Sequence, residues 1–161
     1  QMGIKSLEDL EQQGITSLII DVRENTGGYL KGATEIASLF LEKGKNIYSL
    51  EGKDGVTTYK DETDEKRDYP IILLINENTA SASEVLAAAL QDSYGAKLVG
   101  KISYGKGKVQ QTKQLEDGSM VKYTSARWLT PEGECIDGFG LAPHYEEDIV
   151  QNEDGTYRYT S

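Results

Sequence analysis

The chain has 161 residues, which is the size of one compact domain rather than two. Its 27 acidic and 17 basic side chains give a formal net charge of -10, and a field of that sign repels phosphate backbones, which argues against nucleic acid as a partner. Cys135 is the single cysteine, so neither an internal disulfide nor a multi-cysteine metal site can form. The sequence contains no run of about 18 apolar residues and therefore predicts no membrane-spanning helix.

The first part of the chain predicts a strand between two helices. Apolar positions on one helical face predict a helix that begins near Ile4 and ends near Gly14. The continuous apolar run 17–22 predicts a strand covered on both faces. A glycine loop then leads to a helix over 30–40. This order is typical of the βα units of an α/β domain.

The rest of the chain predicts one more helix, over 82–91, directly behind a second apolar strand. Predicted strands cover residues 46–50, 56–60, 71–76, 98–99, 109–115 and 120–127. The first two form a hairpin on a polar surface, and the last two form a late hairpin. Behind them lie a stretch rich in glycine and proline and a polar acidic tail. The alternation of strands and helices predicts an α/β domain.

The loop 25–28 follows the first predicted strand and precedes a helix. In open α/β sheets, ligands bind where loops leave the carboxyl ends of the strands. Gly27 and Gly28 permit positive φ and leave bare backbone N–H groups at a helix entrance, which suits an oxyanion hole. The same residues also suit an ordinary tight turn, so both interpretations stay open.

A second loop places hydroxyl groups at the start of the predicted helix 82–91. A nucleophile at such a position benefits because the following backbone N–H can bind the oxyanion of acyl transfer. Ser81 and Glu84 also fit a capping box, in which each side chain satisfies a backbone amide of the other residue. The spacing does not distinguish Ser81 from Ser83 as a nucleophile. Nucleophile and helix cap therefore remain alternatives.

The third loop, residues 100–107, partly fits a phosphate-binding pattern. Gly100 and Gly105-Lys106 match G-x-x-x-x-G-K, but Gly107 stands where Ser or Thr would hold Mg²⁺, and a strand-like run follows instead of a helix. The pattern therefore does not favour a phosphate site. Lys106 between glycines has another use, because a dehydrated lysine can be neutral and act as a base.

The chain has one histidine, His144, in its segment rich in glycine and proline. A Ser-His-Asp triad would require this residue as its base. A lone histidine in such a segment is most often a surface or hydrogen-bonded side chain. The sequence therefore supports neither a triad nor a zinc site.

Four segments occur in an order that resembles a known family. They are 18–28, Thr79-Ala80-Ser81-Ala82-Ser83-Glu84, Tyr104-Gly105-Lys106-Gly107 and Thr130-Pro131-x-Gly133. In this order they resemble the C-terminal processing peptidases, also called tail-specific proteases, which are Ser-Lys serine endopeptidases. The similarity extends from about Leu18 to Pro143. It implies an α/β catalytic domain of the crotonase/Clp-protease type, a β/α spiral with a late β-hairpin.

The resemblance implies a role for each matching position. Ser81 is then the nucleophile and Lys106 the general base. Gln110 matches the glutamine whose amide orients the base. The oxyanion donors are the N–H group of Ala82 and that of Gly27 or Gly28. The resemblance further implies a protein or peptide substrate and no metal or organic cofactor.

A lysine base places a physical demand on the site. Lysine has an unperturbed pKa of about 10.4, and a base that works near neutral pH needs that value lowered by roughly 2.5 to 3 units. The acidic net charge of the chain acts in the opposite direction. We therefore expect Lys106 to be dehydrated and clear of carboxylates in the competent site, with burial as the dominant cause.

The resemblance also implies features outside this sequence. Family members usually carry a regulatory PDZ domain and a strand upstream of the first helix, and neither is visible before Gln1. Residues 1–161 are therefore expected to be a single catalytic domain from a longer chain. Pro143-His144 departs from the Pro-Asp of the family. Cleavage in or near protein C-terminal regions and an extracytoplasmic location, whether periplasmic, membrane-associated or secreted, are implied, whereas the oligomeric state is not.

Two other functions fit the same architecture. The domain can be an inactive peptide-binding module that keeps the fold without turnover, and labelling by a fluorophosphonate separates this alternative from an active peptidase. The crotonase-like architecture also serves acyl-thioester enzymes. Thioester chemistry calls for a basic nucleotide-binding pocket, which this acidic chain does not indicate.

Overall fold

The computed structural model describes residues 4–146 and 148–160, which form three helices and ten strands. The helices are α1 (Ile4–Gln12), α2 (Leu30–Ala37) and α3 (Ala82–Tyr94). The strands are β1 (Leu18–Asp21), β2 (Asn46–Gly52), β3 (Gly55–Lys60), β4 (Ile71–Ile75), β5 (Lys97–Gly100), β6 (Lys108–Gln114), β7 (Met120–Leu129), β8 (Tyr145–Glu146), β9 (Asp148–Gln151) and β10 (Tyr157–Thr160).

A parallel sheet in the order β1-β4-β5-β8 contains the predicted strand-to-helix units. Its second strand, β4, is almost completely buried, as its apolar sequence requires. Behind β4, α3 is buried along residues 82–90 and contacts α2, β2 and β5. A helix that is buried on all sides belongs to the core. The loop before α3 is therefore fixed to the centre of the fold.

The second main sheet is antiparallel, with the strand order β3-β2-β7-β6. The hairpin expected on a polar surface forms as β2 and β3, but only β3 is exposed throughout. Residues 47–49 of β2 are buried because this strand lies beneath α3 and between two neighbours. The late hairpin forms as β6 and β7, and most of its side chains are exposed. Trp128 and Leu129 join the end of β7 to the core.

The first strand corrects an expectation from the sequence. The run 17–22 forms β1, yet burial alternates along this strand instead of being continuous. Leu18 and Ile20 are buried, whereas Ile19 is 44% exposed. The reason is that the two faces of β1 are covered unequally, since Ile19 borders an open cavity, and an apolar run cannot reveal this difference. The acidic tail, which the sequence left unassigned, contributes β8 to the parallel sheet and the separate pair β9 and β10.

The predicted α/β fold class, including the late hairpin, is confirmed by these elements. The segment after residue 107 is a strand, as the argument against a phosphate-binding loop required. Among residues 4–146 and 148–160, no helix combines the length and the apolar character that crossing a lipid bilayer would need.

A partly buried group of charges fastens α1 to the segment before β4. The Arg67 Nε donates to Glu11 at 2.9 Å, and the Arg67 Nη1 donates to Glu65 at 2.6 Å. The Tyr69 hydroxyl donates to the same Glu11 carboxylate at 2.6 Å. The hydrogen bonds from Arg67 and Tyr69 hold the pKa of Glu11 below its usual value. Burial, reinforced by Glu11, raises the pKa of Tyr69.

We expect Glu11→Gln to lower the free energy of unfolding by about 1 to 2 kcal/mol at neutral pH, since it weakens hydrogen bonds to a charged group. The folded state lowers the pKa of Glu11, so the unfolded chain binds the proton more tightly in acid. The stabilisation is thus present above the unfolded pKa and disappears as the pH falls through the lowered folded pKa. Urea denaturation at several pH values should show the difference from wild type shrinking toward pH about 3.

The matched control for this prediction is Glu8→Gln, which changes an exposed carboxylate on the same helix. It should alter the free energy of unfolding by less than about 0.5 kcal/mol at every pH. A Glu11→Gln effect that stays constant down to pH about 3 would contradict the proposed charge cluster.

Candidate active site

Two loops meet at the carboxyl ends of β1 and β4. These strands are parallel neighbours, so the loops that follow them emerge at the same edge of the sheet. The Glu24 carboxylate accepts from the side-chain amides of Asn76 at 2.9 Å and of Asn78 at 2.6 Å. In addition, the Ala80 amide donates to the carbonyl oxygen of Asn25 at 3.1 Å. The glycine loop behind β1 is thereby tied to the serine loop behind β4.

Ser81 occupies the position immediately before α3 in an unusual backbone conformation. Its φ is 59° and its ψ is -120°, a backbone conformation that residues other than glycine rarely adopt. One half of the predicted capping box is present, because the Ser81 amide donates to the Glu84 Oε1 at 2.9 Å. However, the Glu84 amide donates to the Ser81 carbonyl oxygen at 2.9 Å, and the Ser81 hydroxyl makes no cap hydrogen bond. A sharp turn between a strand and a helix is the geometry that presents a nucleophilic hydroxyl.

Ser83, which the spacing could not separate from Ser81, lies inside α3. Its side chain is buried, and its amide donates to the Ala80 carbonyl oxygen at 3.3 Å. Ser81 is less deeply buried and precedes the helix. The environments of the two hydroxyl groups therefore differ, although their spacing in the sequence does not show it.

Gly27 lies directly against the turn at Ser81. With φ at +99°, a Cβ atom here would be 2.8 Å from the Ala80 carbonyl oxygen and 3.0 Å from both the Ala82 nitrogen and the Ser81 Cβ. Real Cβ atoms do not approach backbone so closely, so only glycine fits. This contact brings the peptide of Gly27 beside the N-terminus of α3, where unpaired amides favour negative charge.

The candidate oxyanion donors differ in their hydrogen bonds. The Gly27 amide already donates to the Asn25 Oδ1 at 2.9 Å. The amides of Gly28 and Ala82 have no acceptor among residues 4–146 and 148–160. Of the two glycine amides that the sequence proposed, that of Gly28 is thus the available one. The second candidate donor, on the other side of the contact between the loops, is the Ala82 amide.

A cavity of about 910 Å³ opens beside these donors. Gly28 and Ala82 both border it, together with apolar side chains from β1, α2 and α3, namely Ile19, Ile36 and Leu86. Asp21, Lys31 and Glu35 add charged groups to its lining. The volume and the mixture of apolar walls with a few polar groups are typical of sites that hold organic ligands.

The Lys106 peptide is held on both sides. Its amide donates to the Glu84 Oε1 at 2.9 Å, and its carbonyl oxygen accepts from the Trp128 indole at 3.0 Å. The flanking glycines are required by close packing, since a Cβ at Gly105 would lie 2.8 Å from the Gly140 nitrogen. At Gly107 it would lie 2.8 Å from the Cβ of Asp137. The segment 137–140 thus explains the Gly-Lys-Gly sequence.

The Lys106 side chain differs from the expectation of a dehydrated amine. It is exposed, and it forms no ion pair with a carboxylate of the described residues. Gln110, on β6, is exposed as well and makes no hydrogen bond to Lys106 within residues 4–146. Ser103, Gly105 and Gly107 of the lysine loop, residues 100–107, are buried, whereas Lys106 is exposed. The dehydration expected of a lysine base is thus not present in this structure.

His144 is engaged elsewhere in the fold. Its Nδ1 accepts from the Leu98 amide at 3.1 Å, and its own amide donates to the Leu98 carbonyl oxygen at 2.7 Å. The histidine thus extends the hydrogen bonding of β5, which matches the expected hydrogen-bonded role. In the described part of the chain, no three His, Cys, Asp or Glu residues are grouped for a metal ion.

Glu84 is a site residue that sequence reasoning interpreted only as a cap. Its side chain is fully buried, although it carries a carboxylate. The Glu84 Oε1 accepts from both the Ser81 and the Lys106 amides, each at 2.9 Å. The available signal was a glutamate within an otherwise apolar stretch of helix, since charged residues are seldom fully buried unless they are paired.

Comparison with known proteins gives the family of this chain. Peptidase family S41 matches residues 3–147. The chain is 41% identical over 145 residues to "Carboxy-terminal processing protease CtpA" of Bacillus subtilis (strain 168), covering 89% of this chain and 31% of that protein. It is 44% identical over 135 residues to "Probable CtpA-like serine protease" of Staphylococcus aureus (strain N315), covering 82% and 27%. The chain spans less than a third of the length of these relatives.

Solved structures agree with this result. The photosystem II D1 C-terminal processing protease matches with a TM-score of 0.87 and 32% identity, over 94% of this chain and 40% of that chain. A lipoprotein from Streptococcus agalactiae shares the fold at a TM-score of 0.68 and 19% identity, over 91% of this chain and 58% of that chain. Since the family match covers most of the sequence, the chain belongs to peptidase family S41, as its resemblance to the C-terminal processing peptidases predicted.

Proposed function

We propose that this chain is the catalytic part of a serine endopeptidase in which Ser81 is the nucleophile and Lys106 is the general base. One observation carries the proposal: the amides of these two residues donate to the same oxygen atom, Glu84 Oε1. The two residues thus lie on adjoining loops, although 25 positions separate them in the sequence. Membership of family S41 supports the same chemistry.

The first chemical step requires the neutral form of the Lys106 amine. That amine removes the proton of the Ser81 hydroxyl as the Oγ attacks the carbonyl carbon of a peptide bond. The negative charge that develops on the carbonyl oxygen is held by the amides of Gly28 and Ala82, which are donors at a helix entrance. Because hydrogen bonds and the close contact at Gly27 hold the two loops together, we expect these amides to need little reorganisation during the reaction.

The second part of the reaction separates the products. The protonated Lys106 gives its proton to the leaving amine as the peptide bond breaks, which leaves an acyl ester on Ser81. Water then attacks this ester with Lys106 as base, and the second product leaves with a new carboxylate. In this scheme, Gln110 orients the lysine once the side chain turns away from solvent. No step requires a metal ion or an organic cofactor.

Substrate and location follow from the relatives as further proposals. The names of the relatives describe processing at protein C-termini, and we propose the same substrate class for this chain. The apolar walls of the cavity suit an apolar substrate side chain. We also propose an extracytoplasmic location and a parent chain with a PDZ domain, and both proposals rest on the resemblance to the C-terminal processing peptidases alone. Substrate or another part of the parent would supply the dehydration that Lys106 lacks here.

Labelling with a fluorophosphonate tests the proposed nucleophile. We expect the full chain to gain one phosphonyl group on the peptide that contains Ser81, as detected by mass spectrometry after digestion. Ser81→Ala should abolish this modification. Ser83→Ala is the matched control, because it removes a neighbouring hydroxyl that lies within α3. Equal labelling of the Ser81→Ala protein would contradict the assignment, and a full-length parent protein that is folded but unlabelled and inactive would indicate a binding module.

A further inference from the structure

Glu84 is a buried carboxylate with every acceptor position in use. Its exposed fraction is 0%, and its Oε1 accepts from the Ser81 and Lys106 amides. Its Oε2 accepts from the Gly105 amide at 2.8 Å and from the Ser103 hydroxyl at 2.5 Å. A carboxylate offers about four lone-pair sites, and four donors fill them. The negative charge is therefore solvated by the protein instead of by water.

A helix cap does not need this arrangement. In a capping box, the glutamate serves only the amide of the first residue, here Ser81. The other three donors, at residues 103, 105 and 106, come from the lysine loop and contribute nothing to the helix end. Burying a charge is costly unless it is fully hydrogen-bonded. The position of Glu84 thus favours a function that joins the lysine loop to the serine turn.

The geometry of Oε1 limits the distance between the two loops. The Ser81 and Lys106 nitrogens each lie 2.9 Å from this one oxygen, so they cannot be farther apart than twice that distance. Without the carboxylate, two backbone donors would face each other with no acceptor between them. They would then separate or recruit water. The spacing of the two residues is therefore set by an atom of a third.

The same carboxylate connects the site to the C-terminal segment. The Ser103 hydroxyl, which donates to Oε2, accepts in turn from the Leu141 amide at 2.7 Å. Ser103 is buried, so the chain of hydrogen bonds is shielded from water. The lysine loop is thus held between α3 on one side and the segment at Leu141 on the other.

We infer that Glu84 is a positioning residue that fixes the separation of the nucleophile and the general base through its Oε1. The inference rests on the proposed roles of Ser81 and Lys106 and adds a third residue that touches neither substrate nor reacting atoms. A misplacement of about 1 Å in a catalytic pair can reduce turnover by about 100-fold. Loss of Glu84 should therefore act on kcat rather than on KM.

Two substitutions of graded severity test this inference in the full chain. Glu84→Met keeps an unbranched side chain but removes both oxygens that accept the four hydrogen bonds, and we expect kcat to fall by about 100-fold with KM changed less than about threefold. Glu84→Gln retains an oxygen that can still accept from Ser81 and Lys106, so kcat should fall by only about tenfold. Partial rescue by glutamine is the expected signature of a positioning role.

The measured quantity is kcat per active site. The number of active sites is taken from the end point of fluorophosphonate labelling. A merely structural role would lower the number of titrated sites and leave kcat per site unchanged. Ser49→Ala is the control, because it removes a partly buried hydrogen bond between Ser49 in β2 and Thr58 in β3. We expect it to lower the melting temperature without changing kcat per site.

Failure of the inference and failure of the proposed function give different results. If wild type is active and labelled at Ser81, but Glu84→Gln and any folded Glu84→Met retain wild-type kcat per site, the positioning role is overturned. If Glu84→Met does not fold, Glu84→Gln alone decides by the same criterion. If Ser81→Ala remains as active as wild type, the proposed function is wrong.

Discussion

Replacing Ser81 by alanine is expected to lower kcat on an unfolded protein substrate by about 10⁶-fold, the size of effect that removal of a serine nucleophile produces. Lys106→Ala should lower kcat by about 10² to 10⁴-fold, because it removes the group that takes the Ser81 proton. The double variant should be no worse than Ser81→Ala alone, since residues that act as one unit are not additive in their effects. The measurement is the steady-state rate at which the full-length parent protein and its variants hydrolyse the unfolded protein substrate.

The control for the dyad is His144→Ala. His144 accepts a hydrogen bond from Leu98 on β5, so we expect this change to affect stability and to leave kcat within about threefold of wild type. A catalytic histidine would give the opposite result. If His144→Ala abolished turnover and Lys106→Ala left it intact, the proposed base would be wrong.

Gly27→Ala is expected to lower kcat by about 10² to 10³-fold, the effect of losing an oxyanion donor. The new Cβ would meet the Ala80 carbonyl oxygen at 2.8 Å and the Ala82 nitrogen at 3.0 Å, so the glycine loop must retreat from the serine turn. We expect this retreat to move the Gly28 amide, which we propose as an oxyanion donor, away from the Ala82 amide. An oxyanion donor stabilises the transition state more than the bound substrate, so we expect kcat to fall by a larger factor than KM rises.

The adjacent glycine provides a matched control. A Cβ at Gly28 would have no atom within 4 Å, and Gly28→Ala keeps the backbone amide that we assign as a donor. Its kcat should stay within about threefold of wild type, as for most substitutions without a steric conflict. Similar losses in Gly27→Ala and Gly28→Ala would indicate that flexibility of the loop, instead of the contact at Gly27, is what matters.

Much of the fold could be predicted because local patterns determine it. The alanine-rich segment that begins at residue 82 follows an apolar strand, and both form as expected. Local patterns do not show which other elements cover each face of a strand. The apolar run at 17–22 does not reveal that β1 lies at an edge with Ile19 exposed, since burial of a face depends on which elements pack there.

The site shows the same division between local and tertiary information. The candidate residues Ser81 and Lys106 were identified from short motifs, and the structure brings their loops together. The contacts of Glu84 with residues 103–106 were missed, because Glu84 was interpreted as part of a capping box and its position in an apolar stretch of helix was not used. The exposure of Lys106 was not predicted either, since the demand for a dehydrated base describes the working enzyme and not the chain alone.

The two non-glycine residues with positive φ among those described are Glu24 and Ser81, one in each loop of the contact. Each backbone conformation costs about 1 to 3 kcal/mol, and glycine would relieve it at either position. Glycine would also remove the carboxylate that joins the loops or the hydroxyl itself. A library selected for thermostability would therefore favour glycine at these two positions at the cost of activity. Both residues should be kept unchanged in such a library.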